Sequence, residues 1–249
     1  MKRPCLISLT ILVMLAAQLF SMSKTDSHLS AIQAELKLLE TWVEAQQLYR
    51  EIPGIAIGLV YDQELIYAKG FGFADLEHKS PVSPATPFRM ASITKTFTAT
   101  AILQLRDAGK LRLDDPVVNY LPWFNIKQSY TDQPPITIRQ LLTHTSGLPR
   151  EADFPYWTDH NFPTMEQIKA TLATQETIYP PATRIKYSNL GLSLAGEIVA
   201  AVSGESYENY IRSHILEPLG MTGSAVIPDE SYKRSLVTPY IGSKAPPTK

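Results

Sequence analysis

The stretch Phe88-Arg89-Met90-Ala91-Ser92-Ile93-Thr94-Lys95 places a serine and a lysine three residues apart at the start of a helical pattern. Behind them Ile93, Phe97, Ala101, Ile102 and Leu105 recur at helical spacing, and Gly109 ends the stripe. Residues three apart on a helix share a face, so the two side-chain heads can meet. A helix N-terminus also offers backbone N–H groups and partial positive charge to an anion developing at an attacked carbonyl. A first-turn lysine opposes the helix dipole, which argues against a decorative role. It accepts a proton only where burial or nearby positive charge favours the neutral amine. The bland alternative makes Ser92 an N-cap and Lys95 a solvated first-turn residue.

Ser-x-x-Lys occurs again at Ser21 and Lys24, where no packed element would orient it. A second pattern, Tyr187-Ser188-Asn189, lies between Tyr179-Pro180-Pro181 and an apolar helical stretch starting at Leu190. A tyrosine there can relay a proton to a leaving group, and Asn189 can donate to a lysine and to a substrate amide or ester. Tyr207-Glu208-Asn209 repeats that pattern, but Tyr207, Tyr210 and Ile211 recur at helical spacing and read as core packing.

Working outward, Lys2 and Arg3 precede an apolar run from Leu6 to Leu19, and small and polar residues follow from Ser21. This layout predicts a secretory leader over residues 1–23, or an uncleaved N-terminal anchor, so the protein is expected to be secreted or periplasmic. The one cysteine, Cys5, falls in the leader, leaving the remainder without disulfide or thiol chemistry. A formal net charge of -1 gives no reason to expect nucleic acid. With 44% hydrophobic and 19% charged residues, the rest reads as globular.

Leu29, Ile32, Leu36, Leu39 and Val43 predict an amphipathic helix over 29–49, stopped by Pro53-Gly54. Residues 55–61 and 64–71 predict a hairpin about Asp62-Gln63, although that pair is not the strong Asn-Gly turn. Pro81, Pro84 and Pro87 predict an exposed loop over 76–88. Thr137 is placed to cap a short helix through Leu142, broken by Thr145-Ser146-Gly147. Phe154, Tyr156, Trp157 and Phe162 either line a cleft or pin their own loop. Further helices are predicted at 164–174, 190–202 and 206–216. There is no Gly-x-Ser-x-Gly elbow, no His-Glu-x-x-His, and Gly70-Phe71-Gly72 is too short to cradle phosphate. His144 reads as a structural donor beside the 145–147 turn.

Taken together, these motifs resemble the serine beta-lactamase and penicillin-binding-protein superfamily, in particular its class C beta-lactamase, D-alanyl-D-alanine carboxypeptidase and esterase branch. The similarity runs over about residues 50–225. It includes Phe88 to Lys95, Gly109-Lys110-Leu111, Leu113 to Val117, Ile138 to Leu148, Tyr187-Ser188-Asn189 and Pro218-Leu219-Gly220-Met221. Ser-x-x-Lys is a known signature of such enzymes.

The resemblance implies an α+β fold of the beta-lactamase/transpeptidase type, an antiparallel sheet flanked by helices with a mainly helical domain inserted. It divides residues 24–249 into an N-terminal helix and two strands (24–90), a mainly helical catalytic region (91–225) and a tail (226–249). It implies a serine hydrolase in which Ser92 is acylated, Lys95 activates it, Tyr187 relays protons and Asn189 positions substrate. The Ser92 N–H would form half of the oxyanion hole. No cofactor or metal is implied. The expected partner is a small-molecule or peptide-like substrate with an amide, lactam or ester carbonyl, with cell-envelope association; the alternative is a non-catalytic penicillin- or peptidoglycan-recognition protein of the envelope.

Two departures stand out. Pro181-Ala182 replaces the usual Pro-Gly five residues before the tyrosine, and alanine adopts positive φ less readily. The third signature, Lys-Thr-Gly or His-x-Gly, does not appear between Asn189 and Lys249. The chain is therefore expected to be a C-terminally truncated member lacking its last sheet strands and impaired in catalysis, since one oxyanion donor is worth on the order of 3 kcal/mol.

Overall fold

The computed structural model describes residues 32, 33, 35–156 and 162–240. The expected leader, the Ser21 and Lys24 copy, Leu29 and Trp157 lie outside these residues. The described parts of Met1–Thr86 and Leu236–Lys249 form one unit, and those of Pro87–Ser235 another. Residues 226–235 belong to the second unit and 236–240 to the first.

In the first unit, helix α1 (35–50) buries Val43 and half-buries Leu36 and Leu39, the face its periodicity marks. Strands β1 (Gly54–Tyr61) and β2 (Glu64–Asp75) pair antiparallel, with a bulge at Leu59 and Val60. Asp62 and Gln63 join them at φ of 47° and 68°. A two-residue hairpin needs this handedness to match strand twist, so the turn forms without Asn-Gly. Glu40 of α1 accepts from Tyr67 Oη at 3.0 Å and Lys69 Nζ at 2.7 Å, which fixes the helix against β2.

A short third strand, β3 (Ser80–Pro81), pairs with β2 where a plain loop is expected. A proline is tolerated at a sheet edge, where its missing N–H leaves no ladder bond unmade. Thr238 returns to β2, its N–H donating to Ala74 O and its hydroxyl to Asp75 Oδ2, both at 2.9 Å. The fold class is α+β, an antiparallel sheet with helical cover.

The second unit is built around α2 (Thr94–Asp107), α3 (Ile138–Leu142), α4 (Met165–Thr171), α5 (Asn189–Ser203), α6 (Tyr207–Ile211) and α7 (Glu230–Ser235). A π-helical segment, Arg212–Leu216, continues α6. Helix α5 buries Leu190, Leu192, Leu194, Ala195, Ile198 and Val199, so it is apolar around most of its circumference and lies inside the unit. Against it pack Ala101, Ile102 and Leu105 of α2, Ile138 and Leu141 of α3, and Tyr210 and Ile211 of α6. Thr137 caps α3, as the sequence predicts, and the structure shows the cap to be a reciprocal box with Gln140. Helix α2 closes with the Lys110 N–H reaching back to Leu105 O at 2.9 Å around Gly109 at φ 70°.

Leu194 is fully buried at the middle of this core. A Leu194→Ala variant is expected to lose about 2–5 kcal/mol of stability in urea unfolding, and a loss below about 1 kcal/mol would contradict the placement of α5.

Candidate active site

The site is held by two chain segments that run side by side. Gly147 O accepts from Ile178 N–H at 2.8 Å, Thr145 O from Ala182 N–H at 2.8 Å, and His144 O from Lys186 N–H at 2.7 Å. Gly147 sits at φ 76°, and a Cβ there would lie 2.0 Å from Tyr179 O. Only glycine permits this approach. Ala182 lies at φ 63°, so it does adopt the left-handed backbone that its position requires.

Helix α5 then starts against the same segment. Its N-cap, Ser188, accepts from Gly191 N–H at 2.9 Å and donates to Pro149 O at 2.7 Å. Arg150 O accepts from the N–H groups of Asn189 and Leu190 at 2.7 and 3.2 Å. Donors that a helix start otherwise leaves unpaired are thus used to anchor it. Tyr187 stands one residue outside the cap, held on both sides.

From there the Tyr187 hydroxyl donates to Ser92 Oγ at 2.8 Å, and Lys95 Nζ donates to the same oxygen at 3.3 Å. Ser92 lies in a 3-10 turn, Ala91–Ile93, ahead of α2, and Lys95 in the first turn of the helix. Ile93 occupies the N-cap position of α2 and no side chain caps it. The bland reading of Ser92 as a cap therefore does not hold, and its hydroxyl is committed to Lys95 and Tyr187. Ala91, immediately before it, has φ 43°. A non-glycine residue pays about 1–2 kcal/mol for left-handed backbone, and such strain gathers at functional sites.

The electrostatics centre on Tyr187. Lys95 Nζ lies 5.0 Å and Arg150 Cζ 5.3 Å from its ring centroid. The Lys95 ammonium above all, then the Ser92 hydroxyl and the Arg150 charge, holds the phenol below its ordinary value near 10. The His144 ring lies against it, centroids 4.5 Å apart and planes 32° apart, and His144 Nδ1 accepts from the Ser188 N–H at 3.2 Å. His144 thus acts as an acceptor at this nitrogen, not as the donor its sequence context suggests. Burial, followed by the Lys95 charge, pushes its pKa down. The arrangement offers a hydroxyl nucleophile, a phenol biased toward phenolate, and a nearby cation, which is what general-base activation of a serine requires.

Asn189 lines a hollow of about 360 Å³ together with Thr94 and Lys95, but its Nδ2 donates to Glu151, not to Lys95. Tyr207 lines the same hollow, but its hydroxyl is turned to Thr98 and not to Ser92. It bonds Thr98 Oγ1 at 2.7 Å and is raised above its ordinary pKa by burial, as core packing predicts. In the aromatic loop, Phe154 and Tyr156 pack against the core, and Tyr156 meets Phe162 with centroids 5.9 Å apart, which favours the pinned-loop reading. Among the described residues no helix is long and apolar enough to cross a membrane.

Arg150, Glu151 and the acceptor role of His144 were not evident from sequence. Arg150 and Glu151 follow the Thr145 to Leu148 motif after the single residue Pro149, and that proximity was the signal available.

Residues 39–248 match the Beta-lactamase family, and the chain belongs to it. More broadly it is a member of the serine beta-lactamase/transpeptidase superfamily, related to D-alanine carboxypeptidases and esterases. It is 34% identical over 212 residues to Beta-lactamase-like protein 2 of Dictyostelium discoideum, covering 83% of this chain and 39% of that protein. It is 35% identical to the octameric penicillin-binding protein homologue from Pyrococcus abyssi, with a TM-score of 0.72 over 84% of this chain and 48% of that one. A beta-lactamase/D-alanine carboxypeptidase from Yersinia pestis, complexed with citrate, aligns at 27% identity and a TM-score of 0.70, over 77% of this chain and 55% of that one. The chain spans under two-fifths of the length of the curated relatives it first matches, 39% and 36%.

The alanine at φ 63° carries a direct test. Ala182→Gly is expected to raise stability by about 0.5–1 kcal/mol, the relief of left-handed strain exceeding the added entropy of the unfolded chain. An unchanged or lower urea midpoint would show that the turn is not strained.

Proposed function

We propose that this chain carries the acylation centre of a serine hydrolase. Supporting the reading is one observation above others: the Ser92 hydroxyl accepts from both Tyr187 and Lys95 instead of capping its helix. The Tyr187 phenolate takes the Ser92 proton while Oγ bonds to the carbonyl carbon of an amide, lactam or ester. The carbonyl π pair moves to oxygen, next to the Ser92 N–H at the front of α2. Collapse of this adduct expels the amine or alcohol, which receives its proton from the Tyr187 hydroxyl, and leaves an acyl ester on Ser92. Water, deprotonated by the same phenolate, then attacks the ester carbonyl; collapse breaks the bond from Ser92 Oγ to the acyl carbon, Oγ takes the proton back from the Tyr187 hydroxyl, and the acid leaves. Lys95 and Arg150 stabilise the phenolate, and Asn189, oriented by Glu151, borders the substrate side.

The substrates proposed are small-molecule or peptide-like, in keeping with the family fold. Export to the periplasm or exterior, with or without retention at the membrane, rests on Lys2, Arg3 and the apolar run that follows.

Incubation with a fluorophosphonate or a fluorescent penicillin, followed by intact-mass analysis, tests the reading. Stoichiometric labelling is expected, lost in Ser92→Ala and slowed about 10²–10⁴-fold in Tyr187→Phe. Penicillin binding that persists unchanged in Ser92→Ala would instead indicate a non-catalytic recognition protein. Rates on nitrocefin, a D-Ala-D-Ala peptide and a short-chain p-nitrophenyl ester separate the substrate classes.

A further inference from the structure

His144 holds Tyr187 in three ways that no other described residue repeats. Its carbonyl takes the N–H of the residue before the tyrosine, Lys186, at 2.7 Å. Its Nδ1 takes the N–H of the residue after it, Ser188, at 3.2 Å. Its ring covers the tyrosine ring at 4.5 Å. The residue itself lies at φ 59°, a left-handed conformation that directs carbonyl and side chain onto the same neighbouring segment and that a branched or bulky side chain seldom adopts.

The ring contact has a defined protonation requirement. A backbone N–H can only donate, so Nδ1 must present its lone pair, and in the neutral ring the proton resides on Nε2. Adding a second proton turns Nδ1 into a donor facing a donor. It also places an imidazolium against a tyrosine already flanked by the Lys95 ammonium from α2 and the Arg150 guanidinium from the turn after Pro149. Lys186 faces the histidine through its amide, and Tyr187 is the other titratable group in contact. The Lys95 charge also opposes protonation of the imidazole.

We propose that neutral His144 is a positioning residue for Tyr187, and that its protonation releases the Ser188 amide and so adds a further fall in Ser92 acylation to the one that Tyr187 ionisation imposes. This rests on the acylation reading above and adds to it a residue that touches neither substrate nor the reacting oxygen. At neutral pH the ring is uncharged and the hold is intact. Below the ordinary imidazole value of 6.5 the hold fails as the proton binds, so labelling falls with decreasing pH.

Two arms test this. In wild-type protein labelled with 15N-histidine, the imidazole signals absent from a His144→Asn variant are assigned to His144. They are expected to show the Nε2–H tautomer and a titration midpoint below 6.5; an Nδ1–H tautomer, or a midpoint at or above that value, overturns the proposal. The second arm follows fluorophosphonate labelling of Ser92 against pH. His144→Phe keeps a ring but no acceptor and is expected to lose labelling rate on the order of 10²-fold, the scale of a misplaced catalytic group.

Asparagine supplies a carboxamide acceptor near the Nδ1 position and tolerates positive φ. His144→Asn is therefore expected to recover part of that loss and to lose the additional fall below the imidazole value, keeping only the dependence that Tyr187 ionisation imposes. A pH profile of His144→Asn that parallels the wild type below the imidazole value, or wild-type labelling in His144→Phe, overturns the proposal. Absence of labelling in the wild type refutes the acylation reading alone, since the tautomer and its midpoint still decide the role of His144.

Discussion

The hydrogen bond from Tyr187 to Ser92 joins residues 95 positions apart, and the second unit is arranged so that it can form. Closing so long a loop costs entropy that a single hydrogen bond does not return. The cost is met elsewhere, by packing α2 against α5 through Ala101, Ile102, Leu105, Leu194, Ala195 and Ile198. These two helices present Ser92 and Tyr187 near their N-terminal ends. A hydrophobic core thus fixes two polar groups that lie at the surface, with Tyr187 still 37% exposed.

The precision comes from the backbone. Carbonyls of His144, Thr145 and Gly147 bind the chain ahead of Tyr187, and those of Pro149 and Arg150 bind the start of α5 beyond it. Residues 144–150 consequently act as a template along which the tyrosine segment is laid. The features that make the template possible are conformational: glycine at 147 for close approach, and positive φ at His144 and Ala182. The same segment supplies Arg150, so charge and geometry at Tyr187 derive from one stretch of chain.

Much of this was legible in the sequence where the signal is periodic or local. The stripe from Ile93 to Leu105 marks α2, the apolar runs on either side of Asp62-Gln63 mark the hairpin, and Thr137 marks the cap of α3. Context separated Ser92 and Lys95 from an identical spacing, and Tyr187 from Tyr207. Strand β3 was hidden because Pro81 reads as a breaker, although an edge strand needs no N–H there. The contacts of His144, Arg150 and Glu151 are hidden for another reason. They use main-chain carbonyls, one ring nitrogen and single long side chains, and such tertiary contacts leave no period in the sequence. The Asn189 to Glu151 bond likewise redirects a donor that residue type alone would assign to Lys95.

Acylation of Ser92 as proposed depends on Tyr187 being an easily ionised phenol because Lys95 and Ser92 are beside it. The most direct measurement is the titration of its Cζ signal by NMR in protein carrying 13Cζ-tyrosine, assigned by loss in Tyr187→Phe. A midpoint below 10, rising when Lys95 is replaced by methionine, is the predicted result. A midpoint at or above 10, or one indifferent to Lys95, would contradict it.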